Sequence, residues 1–314
     1  MKNILSSEIL RFLEKESIRY ECSQPLLDEY TIASIFSPVD KGFYFLIGNE
    51  LPDAVSKSVI LLSHSSCLSL KNNNIGIHLI DSDPQEVFYR LLSSLYKTPS
   101  TGIISNTAII HPEAKIGKNV QIDHFVVVDN AIIDDNVIIR SHSYIHSNSI
   151  IRKDSIIENH SVIGAQGVAW TWDEHGTEKI VQPQLGGVDI GPNCFLGAGT
   201  ILVRGSLNEN TLIGQSTLLA PGCRIGHGTQ IGDYVHFANS VTTGGNTQIG
   251  NYCFVGSAAV FRPKVNIHAH TIVGAGAVVV NNTTAIGKTL IGVPAVEKDT
   301  KAHSSGMPKI KRTK

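Results

Sequence analysis

The chain is poor in charge and in aromatic rings. Of its 314 residues, Asp, Glu, Lys and Arg make up 17% and Phe, Trp and Tyr 6%, and the formal net charge is −1. That balance lacks the basic footprint of a nucleic-acid binder. No apolar run is long enough to cross a bilayer, so no membrane span is expected. Met1-Lys2-Asn3 opens no secretory h-region, and a cytoplasmic location is the expectation. The five cysteines contain no C-x-x-C pair, which argues against a thiol zinc site or a disulfide framework. Cys194, Cys223 and Cys253 are expected to act as small apolar residues, as buried thiols do.

What the chain does have is a six-residue period. Leu207, Ile213, Leu219, Ile225, Ile231, Phe237, Thr243, Ile249, Val255, Phe261, Ile267, Val273 and Val279 fall six apart. Four places after most of these beats stands a smaller residue, such as Thr217, Cys223, Thr229, Val241 and Ala259. Upstream, Ile110, Ile116 and Ile122 keep the same spacing. After one slip so do Ile133 to Ile163, and then Ile190, Leu196 and Leu202, with a second slip before Leu207. A helix repeats near 3.6 residues and a half-buried strand near 2. A period of six fits a short strand plus a corner, with three sides closing one coil of a parallel β-helix. Bulky residues then fill the prism and small ones fit its corners.

Residues 1–98 lack the repeat. Ile4–Glu14 and Pro84–Tyr96 carry helical patterns, the second with Asp81 or Ser82 as its cap. Residues 42–47, 58–62 and 75–80 have the pattern of strands. A small α/β domain is expected over 1–98, a linker after Lys97, the solenoid over 103–297, and a basic tail over 298–314. The solenoid drops its beat once, over 166–188, where Trp170 and Trp172 both lie. Insertions in a solenoid map to loops, often on the binding face.

Three hexapeptides make one coil, so residues eighteen apart stack on neighbouring coils. His227 stands two places past a beat, outside both the interior and the corner slots. Eighteen residues before it is Glu209, and eighteen after is Gly245. An imidazole with an ordinary pKa of ~6.5 can take a proton near neutrality. A carboxylate can fix its tautomer, and a backbone N–H with no side chain in the way can meet an oxyanion. Those parts suit acyl transfer from a thioester to an amine.

Three further stretches are distinctive. They are Val162-Ile163-Gly164-Ala165-Gln166-Gly167, Pro183-Gln184-Leu185-Gly186-Gly187-Val188-Asp189-Ile190-Gly191 and Arg204-Gly205-Ser206-Leu207. In that order, with His227 following, residues 41–297 resemble the UDP-3-O-(3-hydroxyacyl)glucosamine N-acyltransferases of the lipid A pathway. The resemblance implies an all-β solenoid, a left-handed parallel β-helix with a small N-terminal α/β domain. It also implies a homotrimer, no bound cofactor or metal, a nucleotide-linked amino sugar as acceptor, and acyl carrier protein or acyl-CoA as donor. His227 matches the family's general base and Gly245 its oxyanion glycine, while Glu209 falls where some members have aspartate. Phe45 matches an aromatic that stacks on the base, with Asn49 one step late beside it. Trp170, Asn239 and Asn246 are further candidates for ligand contact. The chain departs from the family at Ala220, where aspartate is common, at Gly48 and Leu51 after Phe45, and at Lys264 in place of a second histidine. A divergent member with another amino sugar is the reading this implies. The competing readings are a non-catalytic solenoid and a metalloenzyme of the γ-carbonic-anhydrase kind. The latter would draw on His142, His146, His160, His268 or His270.

Overall fold

The structure is a computed structural model, and it describes residues 2–23, 25–47, 58–63 and 76–299. It divides into two units, Met1–Thr98 and Pro99–Lys314.

In the first unit a six-stranded sheet runs in the order Asn3–Leu5, Glu29–Ile32, Gly42–Phe45, Val59–Ser63, Gly76–Leu79, Tyr20–Cys22. The inner pairings are parallel and the two outermost antiparallel. The helices Ser6–Lys15 and Pro84–Tyr96 supply Ile9, Leu13, Val87 and Leu91 to a core shared with Phe43, Val59, Leu61 and Ile77. The first helix starts later than the pattern suggests, because Asn3–Leu5 is drawn into the sheet by pairing with Glu29–Thr31. The second has the expected span, but its cap is Asp83 rather than Asp81 or Ser82. The Asp83 carboxylate accepts from the N–H groups of Gln85 and Glu86 at 2.9 and 3.2 Å. Asp81 instead sits in the left-handed region and pairs with Arg19.

The second unit is a parallel β-helix. One face runs from Ile109–Ile110 to Val278–Val279, a second from Lys115–Ile116 to Asn266–Ile267, and a third from Gln121–Ile122 to Val296–Asp299. Each strand is short because a corner follows every pair or so of residues. Apart from Leu207 and the polar Thr243, the beat residues from Ile122 to Val279 point inward and make one continuous apolar column. The small residues line the inner side of the corners, where their donors meet corner carbonyls: Thr217 Oγ1 donates to Gly232 O at 2.9 Å and Ser155 Oγ to Gly191 O at 3.0 Å. A hydroxyl buried without such a partner would be costly. Burial pushes the thiols of Cys194 and Cys223 up to about 11 and that of Cys253 up to about 12. Thiols so raised stay protonated and unreactive near neutrality.

The second residue of many corners has positive φ. Asparagine suits that geometry, and Asn119, Asn136, Asn148 and Asn246 occupy it. Elsewhere rings take the place and stack along the axis. Phe125, His142 and His160 lie 5.2 and 5.0 Å apart, and Tyr234, Tyr252 and His270 lie 5.0 Å apart at both steps.

Two departures from the regular coil stand out. Leu207 does not point inward as the period implies; it is 52% exposed. The chain bows outward over Arg204–Glu209 and the strand resumes at Asn210–Ile213. The stretch 166–188 rises as an antiparallel hairpin, Ala169–Trp172 with Lys179–Gln182. The coil closes beneath it, with Ser149 paired to Val188 and Val162 paired to Ile201.

Candidate functional site

His227 stands at the corner between the strands Arg224–Ile225 and Gln230–Ile231. Glycines on either side let the chain turn sharply here, and Gly228 adopts φ +64°. The corner is fastened from inside. Gly228 N–H donates to Thr211 Oγ1 at 2.9 Å, and Gly226 N–H to Thr243 Oγ1 at 3.0 Å. Thr243 is the polar beat in an otherwise apolar column, and this bond accounts for it.

On the next coil, Asn246 N–H donates to His227 O at 2.7 Å. Gly245 lies directly under the ring. A Cβ there would overlap Nε2 of His227 and come within 2.6 Å of Cδ2 and Cε1. The missing side chain makes room for the imidazole. Some first corner residues have their N–H taken by an acceptor one coil on, as Gln215 donates to Asp233 and Asp233 to Asn251; others, such as Asn239 and Ser257, have none among the described residues. Below Gly245 that place is held by Pro263, whose side chain has no acceptor to offer. Among the described residues no hydrogen bond engages the Gly245 N–H.

On the preceding coil, Glu209 is aligned with His227 but does not bond to its ring. Its two carboxylate oxygens accept from Ser206 N–H at 2.6 Å and Leu207 N–H at 3.0 Å. Ser206 instead reaches the imidazole, with Oγ 3.0 Å from Nδ1. Burial, the largest single effect on Glu209, raises its carboxyl. The N–H groups of Glu209, Leu207 and Ser206 and the charge of His227 outweigh it and hold the group below its ordinary value. Glu209 is therefore an anion near neutrality, fixing the backbone that carries Ser206. Ser206 O in turn accepts from Leu185 N–H at 3.1 Å, and Gly205 O from Gly186 N–H at 3.1 Å. The root of the hairpin is thus bonded to the corner that holds Ser206.

The other candidates are placed unevenly. Asn246 is exposed on the same corner as Gly245. Asn239 lies on a different edge, after the strand His236–Phe237. Trp170 is exposed on the hairpin, edge to face with Trp172 at 5.3 Å and with Lys179 Nζ 4.3 Å above its ring. Phe45 belongs to the first unit and packs on Phe88 and Tyr89, at centroid distances of 5.1 and 5.6 Å. Asn49 lies outside the described residues, as do residues 300–314 of the tail. Ser206 was not among the expected site residues. It is offset by 21 residues from His227, and the bowed Arg204–Glu209 segment removes it from the eighteen-residue register.

A second imidazole–carboxylate pair lies further down the same edge. His146 Nδ1 is 3.5 Å from Asp129 Oδ2, under the ring of Tyr144 at 4.2 Å. Burial and the Arg204 guanidinium lower the His146 pKa against the opposing pull of Asp129. Of the other histidines considered as metal ligands, His142 and His160 stack on each other, His270 stacks on Tyr252, and His268 bonds to Thr283.

The comparisons with known proteins bear on the repeat and the fold. The bacterial transferase hexapeptide model (six repeats) matches residues 113–147 and 210–245. Those two stretches carry the hexapeptide repeat of that model. Over 79 residues it is 38% identical to UDP-3-O-acylglucosamine N-acyltransferases of Pseudomonas aeruginosa and Pseudomonas paraeruginosa, a match covering 25% of this chain. The match spans only 22% of those relatives' length. Among solved structures, a UDP-N-acetylglucosamine O-acyltransferase from Moraxella catarrhalis aligns with a TM-score of 0.56 at 24% identity, covering 62% of this chain and 73% of that one. A UDP-N-acetylglucosamine acyltransferase from Bacteroides fragilis gives the same TM-score and identity, over 62% and 74%. That likeness assigns this hexapeptide-repeat chain the left-handed parallel β-helix.

Proposed function

We propose that the protein is an N-acyltransferase. It moves an acyl group from a thioester, on acyl carrier protein or coenzyme A, to the amine of a nucleotide-linked amino sugar for lipid A or another surface glycan. The observation that carries this reading is the pairing of His227 with Gly245. Nε2 lies beside a backbone amide that no other group engages among the described residues, and the far nitrogen of the ring is held. The partial likeness to N-acylating relatives supports the amine over a hydroxyl as acceptor.

In this mechanism the amine nitrogen attacks the thioester carbonyl carbon and a C–N bond forms. His227 Nε2 takes the amine proton as general base. The carbonyl oxygen gains the negative charge and accepts from Gly245 N–H. The intermediate then collapses, the C–S bond breaks, and the imidazolium returns its proton to the departing thiolate. The products are an amide and a free thiol. Trp170 offers an aromatic face to the acceptor, and three copies of the chain assemble around the sites.

The test is acyl transfer by the wild type and His227→Ala. UDP-, dTDP- and GDP-linked amino sugars are offered with hydroxyacyl-carrier-protein and short acyl-CoA donors, and product mass is followed. Loss of at least ~10²-fold in the variant is expected. Unchanged activity in the variant removes His227 as the base. Transfer to a hydroxyl rather than the amine overturns the acceptor assignment.

A further inference from the structure

We infer that Ser206 is the positioning residue for His227, accepting the Nδ1 proton so that Nε2 keeps its lone pair. This rests on the acyl-transfer reading for its role but not for its geometry. Three observations carry it. First, Ser206 Oγ is 3.0 Å from Nδ1, while Glu209, the carboxylate on the neighbouring coil, has both oxygens engaged by the N–H groups of Ser206 and Leu207. Second, Ser206 is tethered on both sides: its N–H to Glu209, and its carbonyl to Leu185 N–H at 3.1 Å. The backbone that carries the hydroxyl is thus held beside the ring. Third, among the described residues Nε2 has no hydrogen-bond partner and faces the space above Gly245.

The hydrogen bond at one ring nitrogen decides what the other can do. If Nδ1 donates to Ser206 Oγ, a neutral His227 presents a bare Nε2 as base. After proton transfer the imidazolium still has an acceptor for Nδ1–H. In the triad arrangement a carboxylate fills this place. Here a neutral hydroxyl fills it and the carboxylate stands one step back, setting the backbone under the hydroxyl. The device stabilises the tautomer without a second charge against the ring.

The tautomer can be read without turnover. The full chain labelled with ¹⁵N-histidine, with His227→Gln to assign the resonance, gives the protonation of each ring nitrogen at a pH where the ring is neutral. The expected result is Nδ1–H in the wild type, loss of that preference in Ser206→Ala, and its return in Ser206→Thr. In the transfer assay Ser206→Ala is expected to lower kcat on the order of 10-fold to 10²-fold with little change in KM. Ser206→Thr restores most of it, which also separates the effect from misfolding. A wild-type His227 carrying its proton on Nε2 overturns the proposal, as does a tautomer unchanged in Ser206→Ala. A chain with the expected tautomer but no acyl transfer leaves the positioning intact and overturns the function instead.

Discussion

His227 and Gly245 share one volume, and that makes the glycine's size decisive. Its φ is not positive, so alanine is acceptable to the backbone. Only the ring has to move. Gly245→Ala is expected to keep its melting temperature within a degree or two and to lose ~10²-fold or more of acyl transfer. A thermal melt run beside the assay checks both halves, and full activity in the variant would show that the ring does not lie over Gly245. The alignment of Glu209, His227 and Gly245 was legible in the eighteen-residue spacing. The use made of Glu209 was not. Its carboxylate turns back to Ser206 and Leu207 because the chain bows at Arg204–Glu209, and a bow breaks the period that made the rest readable. The same break explains why Leu207, in phase on paper, faces solvent.

At the scale of elements, the hairpin 169–182 has its own local order. Asp173 accepts from Thr177 N–H at 2.7 Å, Thr177 Oγ1 at 2.9 Å and Glu178 N–H at 2.9 Å. The Glu178 N–H is the largest cause and, with Thr177 and His175, holds the carboxyl below its ordinary value against desolvation. The sign follows. A lowered folded pKa gives order that is complete above the unfolded value of ~3.9 and is lost as pH falls through the folded one. Asp173→Asn is expected to speed amide exchange over 169–182 at neutral pH, and acid to do the same in the wild type. The coil's own melt should stay unchanged. The interruption of the period was visible from the sequence. The hairpin inside it was not, because its pairing joins exposed residues with no buried face to set an alternation. In the first unit, Ile4 and Leu5 carry a helix-like pattern that sheet pairing overrides.

At the scale of the whole molecule each unit has its own core, and that of the second is one apolar column. Phe237 and Phe261 are fully buried in it, with ring centroids 6.3 Å apart. Phe237→Ala removes a large side chain from a place where rigid coils cannot collapse inward. It is expected to cost ~3–5 kcal/mol, read from a denaturant or thermal melt. Exchange should rise most in the coils that touch the cavity, since coils of a solenoid contact mainly their neighbours. For the proposed trimer, light scattering on the purified chain should give the mass of three copies, and a monomer mass would count against a shared site. The architecture was readable because every coil repeats the same demand for a bulky residue inside and a small one at the corner. Handedness was not, for spacing is identical in a coil and its mirror image.

The coil closes beneath the hairpin as though the inserted stretch were absent, pairing Ser149 with Val188 and Val162 with Ile201. A protein built this way can lengthen, shorten or redecorate that finger without altering the rise from one coil to the next. It is this rise that sets an imidazole above Gly245. Variation is free at the fingertip and forbidden at its root, where Leu185 and Gly186 hold the Ser206 corner. Relatives that accept different sugars would then differ most within 168–182 and agree most within 183–187, a contrast that inheritance itself would record.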